Sequence, residues 1–274
     1  MTNIRDIVRD WLPPGATRIV DRIRGSSIRF EGNYTTWADA SSKCAGYDAA
    51  SILDKVLDAT QKVTRGEAAF ERDSVPFGDF EYAWPVLTGL MWAAARNRGV
   101  LNVLDFGGSL GSSFFQNRKF LHSLHSFHWG IVEQANFVQT GQKYFQTENL
   151  EFYDSIDSYL LNNTPNVVLL SSVLQYLPQP YKVLERLSSC KNACLIIDRT
   201  SFSSQVGDRL VIQRIPANIY LGSYPMWIFG RNHFRNFLNE NWSLLATTSC
   251  PEGTSKTADG LRFEFEGFIL DSKK

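Results

Sequence analysis

The sequence has no surplus of either charge: 28 Lys and Arg residues are matched by 28 Asp and Glu over 274 residues. Such a balance gives no long-range field to gather nucleic acid or an anionic membrane, and no run of like charge is long enough to make a local one. No apolar run approaches the roughly 18–20 residues that span a bilayer, so no transmembrane segment is expected. The opening MTNIRDIVRDWLPP alternates charged with apolar residues, unlike a secretory signal. Cysteine is scarce, and Cys44, Cys190, Cys194 and Cys250 form neither a CxxC pair nor a zinc spacing. They are expected as free, mostly buried thiols of a cytoplasmic protein. His122, His125 and His128 fall at i, i+3 and i+6, a spacing that does not keep all three on one helix face, so no metal site is expected. Internal repeats and low-complexity tracts are absent.

What is present is ordinary globular chemistry, 43% hydrophobic and 20% charged, long enough for one large domain or a domain with an appendage. Residues 1–98 read as a helical layer with irregular joints. Ile4, Ile7, Val8 and Trp11 share one face of a short helix ended by Pro13 and Pro14. IRFEGNYTTW reads as a short strand and a turn. Asp48 can cap a helix with the apolar face Ile52, Leu53, Val56, Leu57, Thr60 and Val63, which Gly66 ends. Pro85 suits the first turn of a further helix stopping at Gly99. Between these two helices lies the loop FERDSVPFGDFEYAW.

From about residue 99 the period changes. VLNVLDF, HWGIVEQ, NLEFYD, NVVLLSS and ACLIIDRT are short apolar runs separated by helix-length spacers, the mark of a parallel sheet covered on both faces. WSLLATTSC and LRFEFEGFIL follow with only a turn-rich link between them. The expected fold is therefore α/β: a Rossmann-like, doubly wound, mostly parallel sheet over 99–274, ending in an antiparallel hairpin at one edge.

The first of these runs breaks into DFGGSLG. Aligning Gly108 and Gly111 on the last two glycines of G-x-G-x-x-G puts Phe106 where the first should be, so the dinucleotide fingerprint fails at its tight turn. An acid, Asp105, stands at the strand end instead. A pyrophosphate beside it in a partly desolvated cleft would cost several kcal/mol at roughly 4–5 Å, whereas a cationic ligand is attracted by the same interaction. S-adenosylmethionine carries an ammonium and a sulfonium and no phosphate. Glu133, 22 residues after Gly111, is spaced to accept hydrogen bonds from ribose hydroxyls. Asp154, after the third strand, is either an adenine contact or a solvated turn residue. Gln134 and Ser172 complete the candidate cofactor contacts with Asp105, Gly107, Gly108, Gly111, Glu133 and Asp154.

The stretches GYD (46–48), ERDSVPF (71–77), LDFGGSLGSSFFQ (104–116), WGIVEQ (129–134), SSVLQYLPQP (171–180), IIDRTSF (196–202) and IYLGSYPMWIF (219–229) resemble class I S-adenosylmethionine-dependent methyltransferases. More narrowly, they resemble a family of bacterial methyltransferase-like proteins often found among surface-polysaccharide genes. The resemblance implies that Asp105, Gly107 and Gly111 surround a methionine moiety and that Glu133 meets the ribose. Two departures stand out: Ser109 occupies the usual middle glycine, and LLSSVLQYL replaces the acidic or Asn-Pro-Pro motif of many class members. The second disfavours amino methylation.

Methyl transfer to oxygen needs the acceptor hydroxyl to lose its proton during attack. Candidates follow the fourth and fifth strands: Tyr176 beside Gln175, and Asp198 beside Arg199. Two roles stay open for Asp198, a general base or the partner of Arg199. His233 is a third candidate base. Glu71 and Arg72 are candidate acceptor contacts or a salt-bridged lid. Tyr224 and Trp227, in the aromatic run SYPMWIF, either pack against the sheet or line an acceptor pocket. The expected function is S-adenosylmethionine-dependent O-methylation of a sugar hydroxyl in surface-glycan biosynthesis, with a small-molecule or glycan acceptor. A non-catalytic module of the same fold, binding a glycan-assembly partner, is the alternative, and a homo-oligomer is left open.

Overall fold

The apolar runs after residue 100 fold as parallel strands because both faces of the sheet they form are covered. The structure, a computed structural model, describes residues 28–44, 49–72, 74–216 and 222–273. The helix expected around Ile4 to Trp11, the Asp48 cap and the GYD stretch lie outside these residues.

In chain order the elements begin with β1 (Arg29–Tyr34), α1 (Trp37–Ser42), α2 (Ala49–Thr64), β2 (Phe70–Arg72), β3 (Val75–Phe77) and α3 (Trp84–Arg96). There follow β4 (Val100–Phe106), α4 (Ser112–Leu121), β5 (Ser126–Val132), α5 (Ala135–Tyr144), β6 (Leu150–Tyr153), α6 (Ile156–Leu160), β7 (Val167–Ser171), α7 (Pro180–Leu187) and β8 (Cys194–Ser203). The chain continues through β9 (Arg209–Ile215), β10 (Gly222–Gly230), α8 (Arg231–Leu238), β11 (Trp242–Lys256) and β12 (Arg262–Ser272). No helix among the described residues is long and apolar enough to cross a membrane.

The chain divides into two units. The smaller takes residues from 1–47, Arg209–Met226 and Lys256–Leu261. In it β1 pairs antiparallel with β9, and the ladder slips between Glu31 and Tyr34. Gly32, at φ +84°, supplies the left-handed residue such a bulge needs. The turn expected after β1 is in part the helix α1, started by Thr36, whose Oγ1 accepts from the Asp39 amide at 3.1 Å. The strand β9 was not expected from the sequence.

The larger unit takes Asp48–Asp208, Trp227–Ser255 and Arg262–Lys274. Its strands run β6–β5–β4–β7–β8–β12–β11. The first five are mutually parallel, and β12 inserts antiparallel between β8 and β11. This is the expected doubly wound α/β sheet closed by a hairpin. Alternate residues of each strand feed opposite cores, as strand geometry requires. Leu101, Val103, Val167, Leu169, Cys194 and Ile196 join α2, α3, α4 and α5 on one face. Leu104, Val168, Leu170, Leu195 and Ile197 join α6, α7 and α8 on the other. In β11, by contrast, buried or half-buried positions alternate with exposed ones, as suits an outer strand with one open face.

Candidate functional site

The order of strands reverses beside β4: one crossover series leaves through β5 and β6, the other through β7 and β8. A crevice opens at such a point beyond the carboxyl ends of the strands. Here it is a cleft of about 530 Å³, bounded by Asp105, Gly107 to Ser109, Ser171 and Ser172, Asp198 and Arg199, with Ser249 to Pro251 of β11 and the α3 start closing its sides. That volume lies within the roughly 300–1,000 Å³ of small-molecule sites.

Asp105 borders the cleft but is almost wholly enclosed, 1% exposed. Trp129 stands opposite Val103 in the β4–β5 ladder, so its indole reaches diagonally to Asp105, and Nε1 donates to Oδ2 at 3.0 Å. Burial pushes the Asp105 carboxyl up to about 7; the indole bond opposes this and the Glu133 charge reinforces it. The glycine loop passes directly over this acid. A Cβ on Gly108 would stand 2.5 Å from the Asp105 carboxyl carbon, and one on Gly107 2.5 Å from Val173 Cγ2. Gly107 and Gly111 have φ of +76° and +104°. These glycines are required by close approach and by left-handed backbone together.

Glu133 ties that loop to the next strand. Its Oε1 accepts from the Ser109 amide at 3.2 Å and its Oε2 from the Gln134 amide at 2.9 Å. Burial raises its pKa, against the pull of those two amides. Each oxygen keeps a further lone pair, so the carboxylate can still accept from vicinal hydroxyls.

On the far side, Ser171 and Asp198 are direct partners in the β7–β8 ladder, and Ser171 Oγ donates to Asp198 Oδ2 at 3.0 Å. Arg199 Nε lies 3.6 Å from the same oxygen, and Arg199 Nη1 lies 3.7 Å from Glu252 Oε1. Cys250 Sγ stands 3.8 Å from Asp198 Oδ1. Burial, then the Asp198 charge, pushes the Cys250 thiol up to about 12, so it remains a neutral donor. Gln175, fully buried, donates from Nε2 to the Arg199 carbonyl at 3.0 Å, while its Oε1 has no partner.

Ser74, Ser109, Ser172 and Arg199 all border the cleft, and all have left-handed backbone, with φ of 69°, 57°, 56° and 49°. Each such non-glycine residue costs roughly 1–2 kcal/mol. Their gathering at one cleft is the pattern of strain kept at a working site.

Glu71 is buried on β2, so part of the expected loop between the two helices is a strand pair, β2 and β3. Its carboxylate accepts from Ser112 Oγ, at the start of α4, and from the Ser74 amide at 3.2 Å. Arg72 and Glu71 both border the cleft. The cleft thus joins Glu71, Arg72, Asp105, Gly107, Gly108, Ser172, Asp198 and Arg199 of the expected set. Gly111, the N-cap of α4, and Glu133, which accepts from the Ser109 amide of the loop, do not themselves border the cleft.

Other expected residues stand elsewhere. Asp154 is exposed, takes a hydrogen bond from Ser155 Oγ at 3.2 Å, and borders a second depression with Gln139, Glu151 and Tyr153. Tyr176 is half-buried in the short turn Leu174–Tyr176 and is not on the cleft wall. His233 is exposed on α8, its ring 5.6 Å from that of Tyr181. SYPMWIF is a strand, β10; Trp227 Nε1 donates to the Leu177 carbonyl at 3.0 Å, and Tyr224 belongs to the smaller unit. The aromatic residues that do border the cleft are Tyr82 and Trp84. The sequence offered little signal for Trp129 as the partner of Asp105, because its register against β4 shows only once the strands are paired. Ser249 and Cys250 were equally hidden, since the strand β11 reaches the cleft only through the hairpin.

No family model matches this chain, and no curated protein matches it. Among solved structures it is similar to an S-adenosylmethionine-dependent methyltransferase from Clostridium acetobutylicum, at 11% identity and a TM-score of 0.47, over 80% of this chain and 98% of that one. It is similar to the N-terminal domain of EvdMO1 in the presence of SAH and D-fucose, at 13% identity and a TM-score of 0.48, over 83% and 97%. It is also similar to the Burkholderia thailandensis 1,6-didemethyltoxoflavin-N1-methyltransferase, at 14% identity and a TM-score of 0.43, over 90% and 100%.

Proposed function

We propose that this chain is an S-adenosylmethionine-dependent methyltransferase that methylates a sugar hydroxyl, in the making of a surface glycan. The observation that carries the cofactor reading is the cradle at the tip of β4: glycines whose Cβ positions are already filled, laid over a buried carboxylate. A phosphate would meet Asp105 there, whereas an ammonium gains from it. In this reading Asp105, Gly107 and Gly108 hold the amino-acid end and the free lone pairs of Glu133 take the ribose hydroxyls. Gly111, Gln134, Ser172 and Asp154 are the remaining candidate contacts. The bound cofactor would supply an electrophilic methyl group on sulfur.

The chain's own work is to orient the acceptor and take its proton. Asp198, held by Ser171 and facing the cleft, is the proposed proton acceptor as the acceptor oxygen forms its bond to carbon. Arg72, Arg199 and Glu71 are proposed acceptor contacts. Tyr176, His233, Tyr224 and Trp227 do not border the cleft and have no role in this reading.

Calorimetric titration with S-adenosylhomocysteine tests the cofactor reading. Saturable heat below millimolar ligand is expected, and no heat at millimolar ligand rejects it. The second reading, a non-catalytic module that binds a glycan-assembly partner, is favoured by Ser109, a left-handed serine where glycine is usual. It requires function in the cell to survive Asp105→Ala with Glu133→Ala.

A further inference from the structure

Trp84 is 61% exposed although it borders the cleft. Singly exposed apolar side chains are ordinary; Trp84 differs in standing at the wall of a cleft beside a second aromatic residue, Tyr82. It is also held firmly. Trp84 opens α3 with Pro85 in the first turn, and its amide donates to the Tyr82 carbonyl at 2.9 Å. The Tyr82 ring lies 5.3 Å from the indole, 5.1 Å from Phe80, and 5.1 Å from Phe120 of α4, which meets it edge-on at 83°. Lys119 caps Phe80 from 4.4 Å. Tyr82 is therefore braced on several sides, and Trp84, which meets it at 48°, is the outer, open member of the aromatic row. Phe77, 37% exposed on the nearby hairpin, differs: its ring is stacked on Phe70 at 4.8 Å.

Polar groups flank the row on the cleft wall. Gln116 Nε2 donates to the Glu81 carbonyl, and Ser113 and Arg72 border the same space. A sugar ring presents an apolar face of C–H bonds and a rim of hydroxyls, and this combination of indole face and hydroxyl, amide and carboxylate groups matches both. A lipid tail would need a continuous apolar wall, which the serines and Gln116 interrupt. An anionic ring is disfavoured as well. Glu71, Glu81, Asp105 and Asp198 border the cleft against two guanidiniums, and Arg199 already faces Asp198 and Glu252.

We infer that the Trp84 indole, flanked by the Tyr82 ring tilted 48° to it, is the platform on which a neutral sugar ring of the acceptor stacks at the mouth of the cleft. The inference rests on the methyl-transfer reading for what happens to that ring, but the binding it claims is measured separately. Saturation-transfer NMR on the full chain with methyl β-D-glucopyranoside, methyl α-D-mannopyranoside and methyl α-L-rhamnopyranoside is the test. At least one pyranoside should show transfer to its ring C–H protons. Trp84→Ala should weaken that binding about tenfold, and Trp84→Phe should restore part of it. Trp92→Ala should change nothing: Trp92 is 45% exposed on α3 and does not border the cleft. Because Trp84 is largely in solvent, the melting temperature of Trp84→Ala should match the parent.

No transfer to any pyranoside, parent-like binding by Trp84→Ala, or binding only of glucose 6-phosphate or adenosine 5′-monophosphate would overturn the inference. If pyranosides bind through Trp84 while S-adenosylhomocysteine gives no heat, the methyl-transfer reading fails and the platform stands. Heat from S-adenosylhomocysteine with no pyranoside binding gives the reverse.

Discussion

Asp105→Asn should weaken S-adenosylhomocysteine binding by roughly 30-fold or more and, at alkaline pH, make the protein more stable than its parent. The two effects have one cause, the enclosure of a carboxyl under the glycine loop. Removing the charge that faces a desolvated ammonium costs at least about 2 kcal/mol, or roughly 30-fold in affinity. The stability effect has the opposite sign. The Asp105 carboxyl is raised from 3.8 to about 7 by burial, so the folded state holds its proton more tightly than the unfolded chain does. Stability associated with this group is then complete below the unfolded value of 3.8 and is lost as pH rises through about 7. Asparagine cannot titrate, and its carbonyl oxygen can still accept from Trp129. The stability gap in favour of Asp105→Asn should widen by roughly 2–3 kcal/mol between pH 5 and pH 8, about 5–10 °C in melting temperature. Urea unfolding at the two pH values measures it. A variant that loses stability as pH rises in parallel with the parent would show that Asp105 is not the titrating group.

Asp198→Asn should lower kcat by about 10²–10⁴-fold with little change in S-adenosylhomocysteine affinity, the loss usual for a removed general base. Asparagine keeps the volume and can keep the hydrogen bond from Ser171, so packing around Cys250 and Arg199 is preserved. The competing role, holding Arg199, has its own signature. Arg199→Gln should raise KM for the acceptor and leave kcat within about tenfold if Asp198 takes the proton. Equal kcat losses from both variants would assign Asp198 to positioning Arg199 instead. Initial rates with a methyl-accepting glycan decide between the two.

Much of the larger unit could be read from the chain because its signals are local. An apolar run such as VVLLS has no polar alternation, and that alone marks a strand buried on both faces. Asp105 and the glycines after it are consecutive, so the cradle is visible as a motif. The rest depends on pairing that local pattern does not encode. In β9 and β10, Pro225 and mixed polar residues obscure the strand signal. The indole of Trp129 reaches Asp105 only through a diagonal register across β4 and β5. Tyr82 and Trp84 carry no signal of their own, because aromatics in a loop look the same in sequence whether they pack or stand open at a cleft. The SYPMWIF run drew attention through its aromatic density, yet that density belongs to a strand whose Met226, Ile228 and Phe229 are fully buried.

The most direct test of the buried carboxylate as the cation's partner is S-adenosylhomocysteine calorimetry from pH 5.5 to pH 7.5, in two buffers of different ionisation enthalpy. An ammonium favours ionised Asp105, so binding at the acid end must drive off its proton. Affinity should rise roughly 20-fold across this range, with close to one proton released per ligand at pH 5.5 and few at pH 7.5. Asp105→Asn should show neither trend. Heat that is independent of pH and buffer in the parent would contradict the account.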